Sequence, residues 1–167
     1  MTNQTRNPNF TIRSATIEDT ALILRFIREL ADYEKLLHEV VADEATLKES
    51  LFGDIPHAKV IIGEYNGVAV SFALYFHNFS TFLGRPGIYL EDLYVQPNMR
   101  GKGLGKILLG YLASLALELR CGRLEWWVLD WNKPAIDFYQ SLGAKPMDEW
   151  TVNRVTGEAL DKLAQQL

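Results

Sequence analysis

The sequence has one cysteine, three histidines and no long apolar run, and each shortage narrows what it can be. Cys121 alone closes no intrachain disulfide, and neither a CxxC pair nor a His/Cys cluster offers a metal site, so no metal is expected and the cytoplasm is the natural compartment. His38, His57 and His77 lack the spacing of metal ligands or of a triad and are assigned no role. No apolar stretch approaches the ~20 residues of a membrane span, and the opening MTNQTRNPN lacks the apolar centre of a signal peptide. Residues 1–9 are expected to form a flexible tail, and no membrane partner is expected. Basic residues are outnumbered 17 to 21, which excludes the basic footprint of a general nucleic-acid binder and fits a cationic partner better. There is no internal repeat, low-complexity tract or linker. With 48% hydrophobic and 23% charged residues, the remaining 10–167 are expected to fold as one domain with a sizeable core.

Alternating helical and strand patterns fill that domain. FTIRSA (10–15) reads as a short strand, and Thr16 to Asp19 has the Ser/Thr-x-x-acid spacing of a helix start. Ile23, Phe26, Ile27 and Leu30 then mark one buried helical face running toward Tyr33 and Glu34. A shorter helix is expected over 43–52. AKVIIGEY and VAVSFALYFHN are rich in β-branched and aromatic residues and are separated by Asn66-Gly67, so they should pair as a hairpin. A loop around FLGRPG leads to the strand IYLEDLYV, ended by Gln96-Pro97. Leu104, Leu108, Leu112, Leu115 and Leu119 recur at helical spacing after the glycines. RLEWWVLD should be another strand, Lys133 to Leu142 a short helix with Pro134 near its start and Gly143 after its end, EWTVNRV a strand and TGEALDKLAQQL a last helix.

The segment Arg100-Gly-Lys-Gly-Leu-Gly-Lys106 carries the first chemical signal. A P-loop needs a glycine where Arg100 stands and a Ser or Thr where Ile107 stands, and a dinucleotide fingerprint does not fit the spacing either. What remains is a strand, a glycine turn and a helix starting at that turn. Backbone N–H groups converge there beside the positive end of a helix dipole, which suits anionic oxygens. Glycine lets the backbone approach a phosphate with no Cβ in the way, and Arg100 and Lys102 add charge of the right sign.

VQPNMRGKGLGKILL resembles the Arg/Gln-x-x-Gly-x-Gly/Ala signature of the GNAT acetyltransferase superfamily. Taken with YLEDLYV, WNKPAIDFYQSLGA and RELADYEK, it is similar to the spermidine/spermine (diamine) acetyltransferase branch. The resemblance implies an α/β fold with a mostly antiparallel, splayed sheet flanked by helices, acetyl-CoA as cosubstrate and a homodimer. It assigns cofactor contacts to Leu93, Tyr94, Val95, Arg100, Gly101, Lys102, Gly103, Leu104, Gly105 and Lys106, and further along to Asn132, Lys133, Pro134 and Ala135.

Acetylating an amine sets its own requirements. An alkylammonium of pKa ~10.4 must lose a proton before it can attack a thioester, the departing thiolate is helped by an acid, and the oxyanion needs an N–H donor. By resemblance Glu91 is the base, through water, Tyr139 the acid, and the N–H of Leu93 or Val95 the support for the thioester carbonyl and pantetheine arm. Glu91 and Asp92 face opposite ways on a regular strand, and the bulge usual in this family would bring both to the amine. The acceptor side is drawn from Glu34, Glu91, Asp92, Glu125, Trp126 and Trp127, the adjacent tryptophans pointing to opposite faces. The expected activity is acetyl transfer to a small primary amine: a diamine, a polyamine or a lysine-like amino acid. Acetylation of a protein N-terminus or lysine, and binding of coenzyme A as a sensor without turnover, are the alternatives. The presence of both Glu91 and Tyr139 speaks against the sensor.

Overall fold

The computed structural model describes residues 2–167. They form two compact units, the first ending at Trp127 and the second running from Val128 to Leu167. The first holds a six-stranded sheet in the order β1 (Thr2–Gln4), β2 (Phe10–Ser14), β3 (Lys59–Tyr65), β4 (Val68–Ser80), β5 (Arg85–Val95) and β6 (Leu124–Trp126). Every neighbour pair is antiparallel except β5 and β6, whose parallel pairing needs a crossover; α3 (Leu104–Glu118) supplies it. Helices α1 (Thr20–Tyr33) and α2 (Glu44–Phe52) connect β2 to β3.

Local chemistry explains the elements. Asn66 and Gly67 both adopt positive φ, 51° and 77°, as a two-residue turn whose twist matches its strands requires, and Tyr65 then pairs with Val68. Before α1, the Thr16 N–H donates to the Asp19 carboxylate at 2.8 Å, and Arg13 of β2 grips both Asp19 oxygens at 2.7 and 2.8 Å while its Nε reaches Glu64 of β3 at 2.7 Å. One guanidinium thus fastens two strands to the start of a helix. Ile23 and Phe26 enter the core against Val60, Ile62, Phe72 and Tyr94, with the Phe26 and Phe72 rings stacked at 5.6 Å. The alternate strand positions Ile61, Ala73, Tyr75 and Leu90 face the other way; burial, and then Tyr111 of α3, pushes the Tyr75 hydroxyl up.

Four expectations are corrected. Of the flexible tail expected over 1–9, Met1 lies outside the described residues, and within 2–9 Thr2–Gln4 pairs with Thr11–Arg13 as an edge strand exposed throughout. An edge strand needs backbone partners and no apolar face, and the Thr5 hydroxyl closes the connection by donating to Phe10 O at 2.7 Å. The loop around FLGRPG is shorter than expected, since Arg85, Pro86 and Gly87 already pair with Ser80, Phe79 and Asn78. RLEWWVLD contributes only Leu124–Trp126 to the sheet. Finally, 149–155 form no strand: these residues are exposed, and alternation alone builds no ladder without a partner. The second unit is α4 (Lys133–Ser141) and α5 (Gly157–Ala164), both as expected.

A Cβ added at buried Gly63 would collide with Ser71 Oγ and the ring of fully buried Phe10. Gly63→Ala should therefore destabilise the protein by about 1–3 kcal/mol, the usual cost of overpacking, as read by urea denaturation. An unchanged midpoint would show that this part of the sheet is looser than its contacts imply.

Candidate active site

The register of β5 creates the site. Tyr75 lies opposite Leu90 and Leu74 opposite Asp92, which leaves Glu91 without a partner as the extra residue of a β-bulge. Leu74 and Tyr75 point to opposite faces, so Leu90 and Asp92 do too, whereas two residues apart on a regular strand share a face. Asp92 consequently joins Phe72 and Tyr94 on the face that carries α1. Across the bulge, Tyr89 pairs with Phe76 and takes that same face.

Charges confirm the grouping. Burial first, then the charges of Glu91 and of Glu34 at the C-cap of α1, push the Asp92 carboxyl up to about 7. Burial also raises Glu34. The Tyr89 hydroxyl is pushed far up by burial and then by Glu91 and Glu125. Glu91, Asp92, Glu34, Glu125 and Tyr89 therefore share one electrostatic neighbourhood. Within it, Glu125 is partly neutralised: its Oε1 accepts from Asn78 Nδ2 at 2.8 Å and pairs with Arg123 at 3.0 Å.

The two tryptophans separate as adjacency requires. Trp126 pairs with Leu90 and so shares the face turned away from Asp92. Trp127, 59% exposed, stands edge-on to Tyr89 at 5.8 Å on the acidic side. Sequence reasoning missed Tyr89, because Tyr-Leu-Glu-Asp puts tyrosine and aspartate on opposite faces until a bulge intervenes.

The edge of β5 beyond the bulge is open. Pairing with β6 stops at Leu90, so Glu91–Val95 have β4 on one side and no strand on the other among the described residues. The Gln96 N–H donates to Val70 O at 2.9 Å, and alternation back along the strand turns the N–H groups of Leu93 and Val95 to the open side. Tyr94 is buried, its hydroxyl donating to Glu29 at 2.8 Å, and by the same alternation its backbone groups turn toward β4.

The glycine turn follows directly. Gly101 and Gly103 adopt φ of 78° and 76°, a region other residues enter at a cost, and a Cβ on either would point into open space. Gly103 is the N-cap of α3 and buried Leu104 anchors its first turn, leaving the N–H groups of Leu104, Gly105 and Lys106 without helical acceptors. Arg100 behaves differently from a free phosphate ligand: its Nε donates to Val95 O at 3.0 Å and its guanidinium lies 4.7 Å from the Tyr33 ring centre. It secures the turn to β5 and α1. Lys102 lies 5.3 Å from the Tyr65 ring, and Lys106 is exposed. These open N–H groups and cations fit the phosphates of a coenzyme.

In the second unit, Asn132 is buried and caps α4, its side chain accepting from the Ala135 N–H at 3.4 Å, with Pro134 in the first turn and Lys133 paired to Asp137 at 2.8 Å. Tyr139 is half-buried on the same helix, its ring 5.4 Å from that of Phe138.

Residues 25–144 match the Acetyltransferase (GNAT) family, which covers the bulge, the open edge, the glycine turn and Tyr139. A bovine thialysine N-epsilon-acetyltransferase is 42% identical over 164 residues, 92% of this chain and 96% of its own length. A human spermidine/spermine N(1)-acetyltransferase-like protein 1 is 33% identical over 96% of this chain, matching 24% of its own length. Among solved structures, an integron cassette protein from the mobile metagenome of V. cholerae superposes with a TM-score of 0.79 at 28% identity, over 94% of this chain and 98% of its own. The chain belongs to the GNAT acetyltransferase family, on the branch of the thialysine and spermidine/spermine enzymes, and is an N-acetyltransferase with acetyl-CoA as cosubstrate.

Raising a carboxyl pKa on folding has a signed consequence. Between ~3.9, its value in an unfolded chain, and about 7, Asp92 holds its proton in the folded state and loses it in the unfolded one, so it makes stability fall as pH rises through that window. Asp92→Asn removes the dependence and should gain more stability over the parent at pH 8 than at pH 5 in urea denaturation. Equal differences at the two pH values would place Asp92 in a more hydrated setting.

Proposed function

We propose that this chain transfers the acetyl group of acetyl-CoA to a primary amine of a small molecule with a second cationic group: a diamine, a polyamine or a lysine-like amino acid. One observation supports the reading: the bulge leaves Glu91 unpaired and turns Asp92 to the α1 face, where β5 has an open edge beside a glycine turn. The bovine relative's named activity on the ε-amine of thialysine supports it.

Each residue then has a task. Asp92, at about 7, is a better proton acceptor for an ammonium than an ordinary carboxylate, and it shares the base role with Glu91, directly or through water. Glu34 and Glu125 add negative potential for the second cation. Leu93 and Val95 present N–H groups to the thioester carbonyl and the pantetheine arm, and the first-turn amides of α3 hold the pyrophosphate, with Asn132–Ala135 completing the cofactor contacts. Acetyl-CoA supplies an acyl group activated as a thioester. Tyr139 gives its proton to the departing sulfur, and its hydroxyl is restored by the proton taken from the amine, returned through solvent.

We further take residues 10–167 as one catalytic domain, since the family match runs across both units. The cytoplasm suits a chain with a single cysteine, and a homodimer is the assembly the resemblance implies. Exposed Trp150, Leu160 and Leu163 are apolar surface that a second copy would cover.

Thiol release from acetyl-CoA with small amines and with peptides tests the reading, and Tyr139→Phe tests its least expected member. Deleting one hydroxyl from a merely packed ring would change the rate little. Loss of a positioned acid typically costs about 10²–10⁴-fold in turnover, with coenzyme A affinity by calorimetry nearly unchanged. Turnover of Tyr139→Phe within threefold of the parent, with chemistry rate-limiting, would return the ring to packing. Release with peptides alone would replace the small-amine acceptor by a protein.

A further inference from the structure

Tyr94 brings a buried hydroxyl that none of the steps above uses. Its ring is 4% exposed and lies 5.7 Å from that of Phe26, and the hydroxyl donates to Glu29 Oε2 at 2.8 Å. Burial first, and then this bond, pushes the hydroxyl up to about 12, so it remains a donor near neutrality. The other Glu29 oxygen meets exposed Arg25 at 3.7 Å, a weak pair. Phe26, Glu29 and Tyr33 stand at i, i+3 and i+7 along α1, one stripe turned toward β5, and Tyr33 ends it against the guanidinium of Arg100, which lies 5.9 Å from the Tyr94 ring. The end of α1 moves with that stripe. The Glu34 N–H donates to Leu30 O at 2.9 Å, Lys35 takes a φ of 62°, and the Leu36 N–H reaches back to Ala31 O at 2.7 Å, a Schellman turn that locks the Glu34 backbone to the helix.

We infer that Tyr94 is a positioning residue: by holding Glu29 it sets the register of α1 against β5, and with it the distance from Glu34 to Asp92, which lies two residues before Tyr94 on the same face of the strand. Ile23 and Phe26 hold α1 to the sheet by apolar packing, which is non-directional and tolerates a small slide along the helix axis. A short hydrogen bond does not. Glu34 is close enough for its charge to act on Asp92, so a slide of α1 changes the field that both acids present. The consequence for amine binding rests on the proposed small-amine acceptor; the geometric part does not.

The test has two readouts, taken on the parent, Tyr94→Phe, Glu29→Leu and Glu29→Gln. In the thiol-release assay, Tyr94→Phe and Glu29→Leu should each raise KM for cadaverine by about 3- to 30-fold, with coenzyme A affinity by calorimetry nearly unchanged, and the double variant should be no worse than either single one. Glu29→Gln keeps an oxygen for the hydroxyl to donate to and should behave as the parent. The second readout needs no substrate. Glu34→Gln should lower the NMR titration midpoint of Asp92 in the parent, and lower it less when combined with Tyr94→Phe, because Glu34 is then no longer held in place. An unchanged KM in Tyr94→Phe, a Glu29→Gln as impaired as Glu29→Leu, or an Asp92 response to Glu34→Gln that ignores Tyr94→Phe would each overturn the inference. A lower melting temperature in Tyr94→Phe with KM and that response as in the parent would likewise overturn it, leaving the bond a matter of stability. Thiol release with no small amine would remove the acceptor reading, and the Asp92 titration would then decide the positioning of Glu34 by itself.

Discussion

One extra residue in β5 organises the candidate site. Without the bulge, Leu90 and Asp92 would share a face, and the chain would have to bury an acid beside Leu90 or expose a leucine beside Tyr94. With it, Leu90 stays 2% exposed on one face while Asp92 joins Tyr94 on the other. The unpaired residue at the bulge is itself an acid, so the irregularity that re-aims Asp92 also sets a second carboxylate beside it. Holding two such groups together in a half-buried place is unfavourable, and the Asp92 carboxyl is pushed up to about 7, so that near neutrality it exchanges readily between its protonated and charged forms. That compromise is a useful property for accepting a proton from an amine.

The same strand keeps one edge open. β6 is three residues long and leaves β5 at Leu90, so backbone donors past the bulge face outward instead of closing a ladder. Six and eight residues past Val95, Gly101 and Gly103 at positive φ turn the chain into α3. Arg100 spans this interval, bonded to Val95 O and stacked over Tyr33, and so couples the end of β5, the turn and the end of α1 where Glu34 stands. The open edge of β5, the glycine turn and the end of α1 are thereby held to a common frame by packing and hydrogen bonds of ordinary strength.

The sequence reveals some of this and hides the rest, for identifiable reasons. The Asn66-Gly67 hairpin is legible because only a few residues tolerate positive φ, and α1 and α3 are legible because their apolar periodicity is strong. β1 is invisible, since an exposed edge strand of Thr-Asn-Gln carries no apolar alternation. The segment 149–155 shows the opposite failure, a strand-like pattern with no partner strand. In the site, the glycine turn is legible from its own residues as a place for anionic oxygens, and Glu91 follows from resemblance to the family. The partnership of Asp92 with Tyr89, and the separation of Trp126 from Trp127, depend on register, and no composition or spacing within Tyr-Leu-Glu-Asp announces an extra residue. Arg100 is legible as a cation, but its stacking on Tyr33, distant in sequence, is a tertiary fact.

The central claim is that the bulge puts Asp92 and Glu91 into one electrostatic site. A carbon-detected NMR titration of the side-chain carboxyls tests it most directly, performed on the parent and on Glu91→Gln without ligands. The account predicts that Asp92 titrates near 7 in the parent, and that its midpoint falls in Glu91→Gln because a neighbouring negative charge has been removed. An Asp92 that titrates in the ordinary carboxylate range, with a midpoint indifferent to Glu91→Gln, would contradict it.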